Sequence, residues 1–442
     1  MRKLFAILVC KIIRKIGNYV GRGSSLPGKI ALKICPDILS RLQLPELTIA
    51  VTGSNGKTST VEMIQQILNS NDKTVAYNYE GSNQIEGITT LIIDNSDYNG
   101  KFLKDVLLME VDERYAKHIF KYFAPKYYVI NNLYRDQLTR NGNPEYVMND
   151  IKKSIRNESI LILNADDPLI ASLAEEFENE VIFFGMGENE YVKEESNSIY
   201  DDGYYCPVCK SKMIYDYRQY GHVGKYHCSK CGFERPDVAY EISDIDLHEG
   251  RMLINNKYEI KLALNALYNA YNVLSAFTVG SLLDLNDKKM IKSLNSYLIQ
   301  NGRFKQFRLN NRIGTLLISK HENSLSYNSN IEYVLNHDND ISIMFIIDDI
   351  SRKYFTSDTS WIWDINFELL KADNIKEIII AGKYINDLAV RFKYAGFDMG
   401  KIMLYETVDE ALKYLDNDSK NELFVLTCFS DEAKLLKEVK QI

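Results

Sequence analysis

Residues 52 to 58 read Thr52-Gly53-Ser54-Asn55-Gly56-Lys57-Thr58, and this stretch constrains the fold more than any other part of the chain. The run Leu47-Thr48-Ile49-Ala50-Val51 before it is short, apolar and β-branched, the pattern of a buried strand. The run from Val61 to Leu68 after it has helical spacing. Strand, glycine-rich turn and helix in that order aim backbone N–H groups and a helix N-terminus at phosphate. Gly53 and Gly56 allow the backbone to approach phosphate oxygens closely, with Asn55 and Ser59 completing the cradle. Lys57 is placed to reach the outer phosphates, and Thr58 to offer a hydroxyl to Mg²⁺. ATP with Mg²⁺ is the expected occupant. The general phosphate-loop spacing has a further glycine five residues before Gly56, where this chain has Val51. The form present is the shorter G-x-x-G-K-T.

At 442 residues, two to three domains are expected. A hydrophobic fraction of 45% and a charged fraction of 26% are those of an ordinary globular chain, and a net charge of −7 gives no global footprint for nucleic acid. The N-terminus opens with a basic pair and an apolar run, which Lys11, Arg14 and Lys15 interrupt. The run is too short to span a bilayer, and no small-residue cleavage site follows it cleanly. Apolar positions 4, 5, 8, 9, 12, 13 and 16 share one helical face, with basic residues opposite. Two readings stay open: a helix packed on its own domain, or a basic amphipathic helix resting on an anionic membrane surface.

The seven cysteines divide into two groups. Cys10, Cys35 and Cys428 are isolated and read as small buried hydrophobes. Cys206, Cys209, Cys228 and Cys231 form two C-x-x-C knuckles, the pattern of a zinc ribbon whose four thiolates close a tetrahedral Zn²⁺ site. Four thiolates leave no open position, so the expected role is structural. Gly232 suits the knuckle turn, and Tyr204, Tyr205, Tyr226 and Phe233 are expected to build a small core. His222 and His227 read as surface or supporting groups.

Strands are expected at 47–52, 74–79, 105–111, 126–131, 159–163 and 180–184, with helical patterns between them, such as Glu113–Lys121 and Pro144–Ile155. This is the alternation of a parallel, helix-covered α/β sheet. The ribbon at 203–236 interrupts it, a β-rich stretch follows at 239–261, and helices are expected at 265–280 and 287–300. Asn301-Gly302-Arg303 reads as a hinge. Beyond it a second α/β alternation has strands at 315–319, 342–347, 377–381 and 423–427. The division expected is a lead-in at 1–45, an ATPase domain at 46–302 carrying the ribbon, and a smaller Rossmann-like α/β domain at 303–442.

Further polar groups fall where strands end, the usual place for sites in such sheets. Leu107-Leu108-Met109-Glu110 runs from apolar strand into acid, followed by Val111-Asp112-Glu113. So much negative charge beside phosphate calls for a cation, and Glu110 is the leading Mg²⁺ ligand. The alternative is a helix start capped by Asp112 and Glu113. Arg135 and Asp136, after the strand at 126–131, suggest clamping of phosphate or carboxylate.

Taken together, these segments resemble the MurT family, the Mur-ligase-like subunits of lipid II isoglutaminyl synthase, over nearly the whole chain. The short Val-Thr-led phosphate loop is similar to that of Mur ligases and folylpolyglutamate synthetases. Leu26-Pro27-Gly28-Lys29, Gly81-Ser82-Asn83 with Gly87-Ile88-Thr89, Glu110-Val111-Asp112-Glu113 and Asn132–Leu138 match the family's segments. A ribbon inserted in the ATPase domain is a feature of this family that ordinary Mur ligases lack. Asn269-Ala270-Tyr271-Asn272 matches the Asn-x-x-Asn segment whose second Asn contacts adenine, and Gly302-Arg303 the arginine that meets ATP phosphates. Ser360-Trp361-Ile362-Trp363-Asp364 and the stretch 382–396 match its C-terminal signatures.

The resemblance implies ATP-dependent amidation of the D-Glu α-carboxylate of the lipid II stem peptide through an acyl phosphate, in peptidoglycan synthesis. Nothing in the chain reads as a glutaminase nucleophile, so ammonia is expected from a glutamine amidotransferase partner of the GatD type. The implied setting is cytoplasmic, at the inner face of the membrane, with Lys57, Glu110 and Asp349 as catalytic residues. Asp349 is the aspartate expected to reach the partner's active site, with Asp348 and Asp358 as alternatives. The chain departs from the family at Thr139-Arg140-Asn141-Gly142-Asn143, at Lys320-His321-Glu322 and at Asp348-Asp349. Two rival readings are a stand-alone amino-acid ligase and a non-catalytic ATP-binding scaffold.

Overall fold

A computed structural model describes residues 1–19, 23–195, 199–298, 304–309, 311–350, 358–415 and 421–442. The expected hinge at 301–303, Arg303 included, lies outside the described residues. Contacts divide the chain into two units: Met1–Tyr134 with Asn143–Glu195 and Asp202–Ile299, and Arg135–Gly142 with Ser196–Asp201 and Gln300–Ile442. The segment carrying Arg135 and Asp136 therefore belongs with the C-terminal unit, although it lies in sequence between strands of the first.

The first unit is built on nine strands: β1 (Leu47–Thr52), β2 (Val75–Tyr77), β3 (Val106–Glu110), β4 (Tyr127–Ile130), β5 (Ile160–Asn164), β6 (Val181–Met186) and, beyond the ribbon hairpin β7 (Met213–Tyr220) and β8 (Val223–Cys228), β9 (Tyr240–Asp246), β10 (Arg251–Ile254) and β11 (Tyr258–Lys261). Their order is β11-β10-β9-β6-β5-β4-β1-β3-β2. All pairs from β2 through to β9 are parallel, and β10 and β11 close one edge as an antiparallel meander. Strands β1, β3 and β4 are buried almost throughout, as apolar runs covered on both faces must be. Pairing Val51 with Glu110 brings the ends of β1 and β3 level.

At the N-terminus, α1 (Arg2–Tyr19) and α2 (Leu26–Ile34) pack on each other and on α4 (Ile85–Asp94), while α3 (Lys57–Ser70) follows the glycine-rich turn. Gly28 explains the Leu-Pro-Gly-Lys segment. A Cβ there would stand 2.0 Å from the Glu86 carbonyl oxygen, and the Gly28 N–H donates to Thr90 Oγ1 at 2.8 Å. Only glycine lets α2 lie this close to α4. On α1, Ala6, Ile7 and Cys10 enter the core with Cys35, Ile38 and Ile92.

The second unit contains β12 (Phe304–Leu309), β13 (Arg312–Ser319), β14 (Ile341–Ile346), β15 (Ile375–Ala381), β16 (Ile402–Tyr405), β17 (Glu422–Cys428) and β18 (Lys440–Gln441). The order is β16-β15-β14-β17-β13-β12-β18, parallel from β16 to β13 with an antiparallel edge at β12 and β18. Phe345, Phe367 and Phe392 form its aromatic centre, with ring centroids 4.5–5.8 Å apart. The two tryptophans differ. Trp361 is buried against Tyr327, whereas Trp363 is 40% exposed beside Tyr394. Arg391 donates to both carboxylate oxygens of Glu368 and to the Ile365 carbonyl, and its guanidinium lies 5.8 Å from the Trp363 ring.

The strands expected from the sequence fall within a few residues of those observed, while β12, β16 and β18 were not anticipated. The helix expected at 113–121 is shorter, Ala116–Phe120, because Asp112 and Glu113 remain in the loop. The one expected at 287–300 ends at Asn295. Among the described residues no helix is long and apolar enough to cross a membrane.

Truncating Phe345 to Ala should cost about 3–5 kcal/mol, the range for a fully buried aromatic. Urea unfolding of the full chain followed by circular dichroism checks this. An unchanged midpoint would remove Phe345 from the centre of the second core.

Candidate nucleotide site and zinc ribbon

The glycine-rich turn joins β1 to α3 as the sequence pattern requires. Gly56 caps α3 with φ near +81°, a backbone region that glycine enters without strain. A Cβ at this position would meet Asn272 Oδ1 at 1.9 Å. The structure thus brings Asn272, on the helix Leu267–Leu282 and by resemblance the residue that contacts adenine, against the phosphate loop. Asn55 and Asn132 exchange hydrogen bonds, Asn55 N–H to Asn132 Oδ1 at 2.9 Å and Asn132 Nδ2 to the Asn55 carbonyl at 3.1 Å. Ser54 Oγ donates to the Tyr134 carbonyl at 3.1 Å, and Tyr134 N–H donates to Ser54 Oγ at 2.9 Å. The segment after β4 therefore braces the loop through its backbone. Ser59 lies half-buried in the first turn of α3.

Lys57 is buried and donates to Glu113 Oε2 at 3.0 Å. It also donates to the Gly53 carbonyl. Burial alone would push its ammonium down, but Glu113, Glu110 and Asp112 outweigh this and hold it above the usual lysine range. Thr58 Oγ1 donates to Glu110 Oε2 at 2.8 Å, and Asn83 Nδ2 donates to Glu110 Oε1 at 3.0 Å. Asn78 fixes the backbone of Glu110 in both directions, accepting its N–H and donating to its carbonyl, each at 2.9 Å. Thr58 and Glu110 thus present oxygens side by side at a strand end facing the phosphate loop. Hard oxygen donors of this kind suit Mg²⁺, with phosphate and water completing the shell. Asn78 carries no motif signal of its own. Glu113, one of the strand-end acids whose alternative reading was a helix cap, answers Lys57.

Arg135 and Asp136 have partners within the C-terminal unit. Arg135 lies 3.6 Å over the Tyr200 ring and 3.7 Å from Asp364, and Asp136 accepts from Lys320 and from Asn323 Nδ2, the latter at 2.9 Å. Asp348 N–H and Asp349 N–H both donate to Asp431 Oδ2. Asp348 also binds Lys434 at 2.6 Å and the Lys383 N–H. The Asp349 side chain is 53% exposed and 3.7 Å from Lys434. Asp358 accepts the Ser360 N–H at 2.9 Å, closing the turn before the tryptophans.

The ribbon cysteines converge. Their four sulphur atoms lie within 4.8 Å of one another, with Cys206–Cys231 at 3.6 Å and Cys209–Cys228 at 3.5 Å. A tetrahedron of Zn–S bonds places sulphurs about 3.8 Å apart, so the set fits Zn²⁺. Hydrogen bonding with Ser211 pulls the Cys209 thiol down to about 6, while burial pushes Cys206 up to about 12. A divalent cation would hold all four as thiolates. Tyr226 and Phe233 stack in the ribbon core, but Tyr204 and Tyr205 stay exposed.

The hairpin is joined to the sheet at the end of β5. Arg235 Nε and Tyr271 OH each donate to Asp166 at 2.5 Å, and the Met186 N–H adds a third bond at 2.7 Å. Burial raises the Asp166 carboxyl, against the pull of Arg235 and Tyr271. Tyr226 OH donates to the Ala165 carbonyl at 2.9 Å. His222 is not a surface group: it is 3% exposed, 3.3 Å from Asp167 and 5.0 Å from the Tyr134 ring. Asp167 in turn accepts the Leu133 N–H at 2.8 Å, next to the residue that braces the phosphate loop.

Comparisons with known proteins agree with this arrangement. The Mur ligase middle domain family matches residues 51–280, and the MurT ligase C-terminal family matches 321–431. Lipid II isoglutaminyl synthase (glutamine-hydrolyzing) subunit MurT of Staphylococcus aureus (strain COL) is 32% identical over 94% of this chain and 93% of its own length. The protein of the same name from Streptococcus pneumoniae is 29% identical over 93% and 91%. In fold, a pseudomurein peptide ligase type C from Methanothermus fervidus aligns with a TM-score of 0.68 at 19% identity, covering 90% of this chain and 79% of that one. MurF ligase from Thermotoga maritima, in complex with ADP, aligns at 0.60 and 16%, covering 93% and 83%.

Two outcomes are expected here. Purified protein should carry about one zinc per chain, and Cys206→Ser should release it and lower the thermal midpoint, as metal analysis and calorimetry would read. A zinc-free but fully stable wild type would overturn the ribbon assignment. Gly56→Ala should abolish ADP binding measured by calorimetry, through its clash with Asn272 and its positive φ. With its phosphate loop, its strand-end acids and its matches along both units, this chain belongs to the MurT branch of the Mur ligase family of ATP-dependent ligases.

Proposed function

We propose that this chain amidates the D-Glu α-carboxylate of the lipid II stem peptide to D-isoglutamine, with ammonia delivered by a GatD-type glutamine amidotransferase subunit. The observation that carries the reading is the intact set Lys57, Thr58 and Glu110 at the ends of β1 and β3, in a chain similar over nearly its whole length to proteins named for this activity. That the relatives are named as a subunit supports a partner complex. Residues 46–302 would act as the ligase half, and 303–442 as the half that meets the amidotransferase.

A carboxylate is a poor electrophile. Transfer of the ATP γ-phosphoryl group to its oxygen makes an acyl phosphate and releases ADP. Ammonia then attacks the carbonyl carbon, phosphate leaves, and the lost proton passes to solvent. Little covalent chemistry falls to the protein in phosphoryl transfer, so positioning and charge neutralisation dominate. Lys57 would turn from Glu113 to the outer phosphates. Gly53, Asn55, Gly56 and Ser59 would line the phosphate path, with Asn272 beside it, and Arg303 would add a second cation. Mg²⁺ held by Thr58 and Glu110 would neutralise charge developing on the phosphate oxygens.

Asp349 would serve the partner. Asp348 is committed to Lys434 and Lys383, and Asp358 to its own turn. Asp349 is the more exposed of the Asp348–Asp349 pair, its backbone N–H held by Asp431 and its carboxylate no nearer than 3.7 Å to Lys434, which suits it better than Asp348 to meet another protein. The proposed place of work is the cytoplasm, at the inner face of the membrane.

The complete lysine-threonine-glutamate set opposes a scaffold without turnover. The test is lipid II with ATP, Mg²⁺ and ammonium chloride, with the partner omitted. Phosphate release with conversion of the stem-peptide acid to its amide is expected. ATP binding without turnover, unchanged on adding a glutaminase, would favour the scaffold. Lys57→Ala should remove amidation while zinc content stays normal. Asp349→Asn, in the complex, should depress glutamine-driven turnover and spare the ammonia-driven reaction. Equal loss of both would take Asp349 out of the ammonia-producing site.

A further inference from the structure

The helix α1 is apolar on two sides. One side, Ala6, Ile7 and Cys10, is buried in the core of the first unit. Arg14 fastens that side with ion pairs to Glu80 at 2.7 Å and Asp94 at 3.3 Å. Lys3 Nζ adds a hydrogen bond to the Arg41 carbonyl at 2.9 Å. The opposite side carries Phe5, Leu8, Ile12 and Ile16, exposed by 58, 38, 58 and 60%. Their spacing places them in one stripe about 16 Å long on the helix. Packing against the protein therefore does not use up the apolar surface, and the two readings of this helix are compatible.

A continuous exposed stripe of large hydrophobics marks an interaction surface. The charges around it select the occupant. α1 contains no acidic residue, although the chain as a whole carries a net charge of −7. Arg2 and Lys15 are exposed at its two ends, and the Lys11 ammonium lies 5.8 Å over the ring of the exposed Tyr98. α2, which packs along α1, exposes Leu26, Lys29 and Lys33. Apolar side chains bordered by cations and a tyrosine suit the boundary between acyl chains and anionic headgroups. The helix is neither long nor apolar enough to cross a bilayer.

We infer that α1 is a docking surface for an anionic lipid bilayer, lying in the plane of the interface with Phe5, Leu8, Ile12 and Ile16 inserted. The inference deepens the lipid-linked substrate reading. It would bring the active site to a substrate confined to the membrane without consuming ATP or touching the nucleotide site.

The test needs neither lipid II nor ATP, so it stands apart from the amidation assay. The full chain is sedimented with vesicles of phosphatidylglycerol and phosphatidylcholine in equal parts, and with vesicles of phosphatidylcholine alone. Binding to the anionic vesicles that weakens with salt is expected. Phe5→Glu with Ile12→Glu and Ile16→Glu should reduce it at least about tenfold, since each large apolar side chain contributes strongly on burial. Lys15→Glu alone should reduce it about fivefold or more. All these positions are exposed, and an unchanged urea midpoint would show that the fold is kept. Absence of binding by the wild type would overturn the inference. So would an oligomer, or a complex with the amidotransferase, that the triple variant dissolves, because the stripe would then be a protein interface.

Discussion

A buried ammonium must be matched by negative charge, and in this protein the match fixes the geometry of the phosphate loop. Burial pushes the Lys57 ammonium down, and Glu113, with Glu110 and Asp112 nearby, outweighs this and holds it above the usual lysine range. The acids come from the end of β3 and the lysine from the turn after β1, so the pair depends on the parallel register that sets Val51 beside Glu110. Desolvating both groups is costly, and the pairing does not make such a site a source of stability. It is better understood as a cation held ready beside a loop whose glycines admit phosphate. The same carboxylates that hold Lys57 leave Glu110 with Thr58 at the edge, where a metal would be wanted.

The ribbon shares this dependence. Its hairpin does not hang from the sheet. It contributes Arg235 to Asp166, Tyr226 to Ala165 and His222 to the side of Asp167. Asp166 and Asp167 follow β5 directly, and Asp167 orders Leu133, beside the residue hydrogen-bonded to Ser54 of the phosphate loop. A short series of polar contacts thus runs from the ribbon segment to the loop.

What could be read from the amino-acid order alone was whatever is local. The phosphate loop is contiguous, and both its strand and its helix announce themselves by spacing. The four cysteines carry their own geometry in two knuckles. The acidic strand end was also visible, but not its division of labour, since Glu113 after an apolar run looks like a helix cap. Contacts distant in sequence were not legible. Asp166, Arg235 and Tyr271 lie on three separate elements, and only the fold joins them. Arg135 and Asp136 looked like substrate clamps because they follow a strand, yet their partners, Asp364, Lys320 and Asn323, are far along the chain. Edge strands β12, β16 and β18 escaped notice because short, half-exposed strands have weak alternation. By spacing the N-terminal helix has one apolar face, 4, 5, 8, 9, 12, 13 and 16, whereas the side it buries carries Ala6, Ile7 and Cys10, and Phe5, Leu8, Ile12 and Ile16 stay exposed.

The contact between Gly56 and Asn272 orders events in time. The loop emerges early from the ribosome, while the helix that presses against it is made only after the ribbon and the edge meander. A nascent chain holding just the first parallel strands would have the glycine turn without the residue that closes on it. Completion of this contact therefore waits on synthesis of every segment up to the helix Leu267–Leu282, the four-cysteine ribbon included.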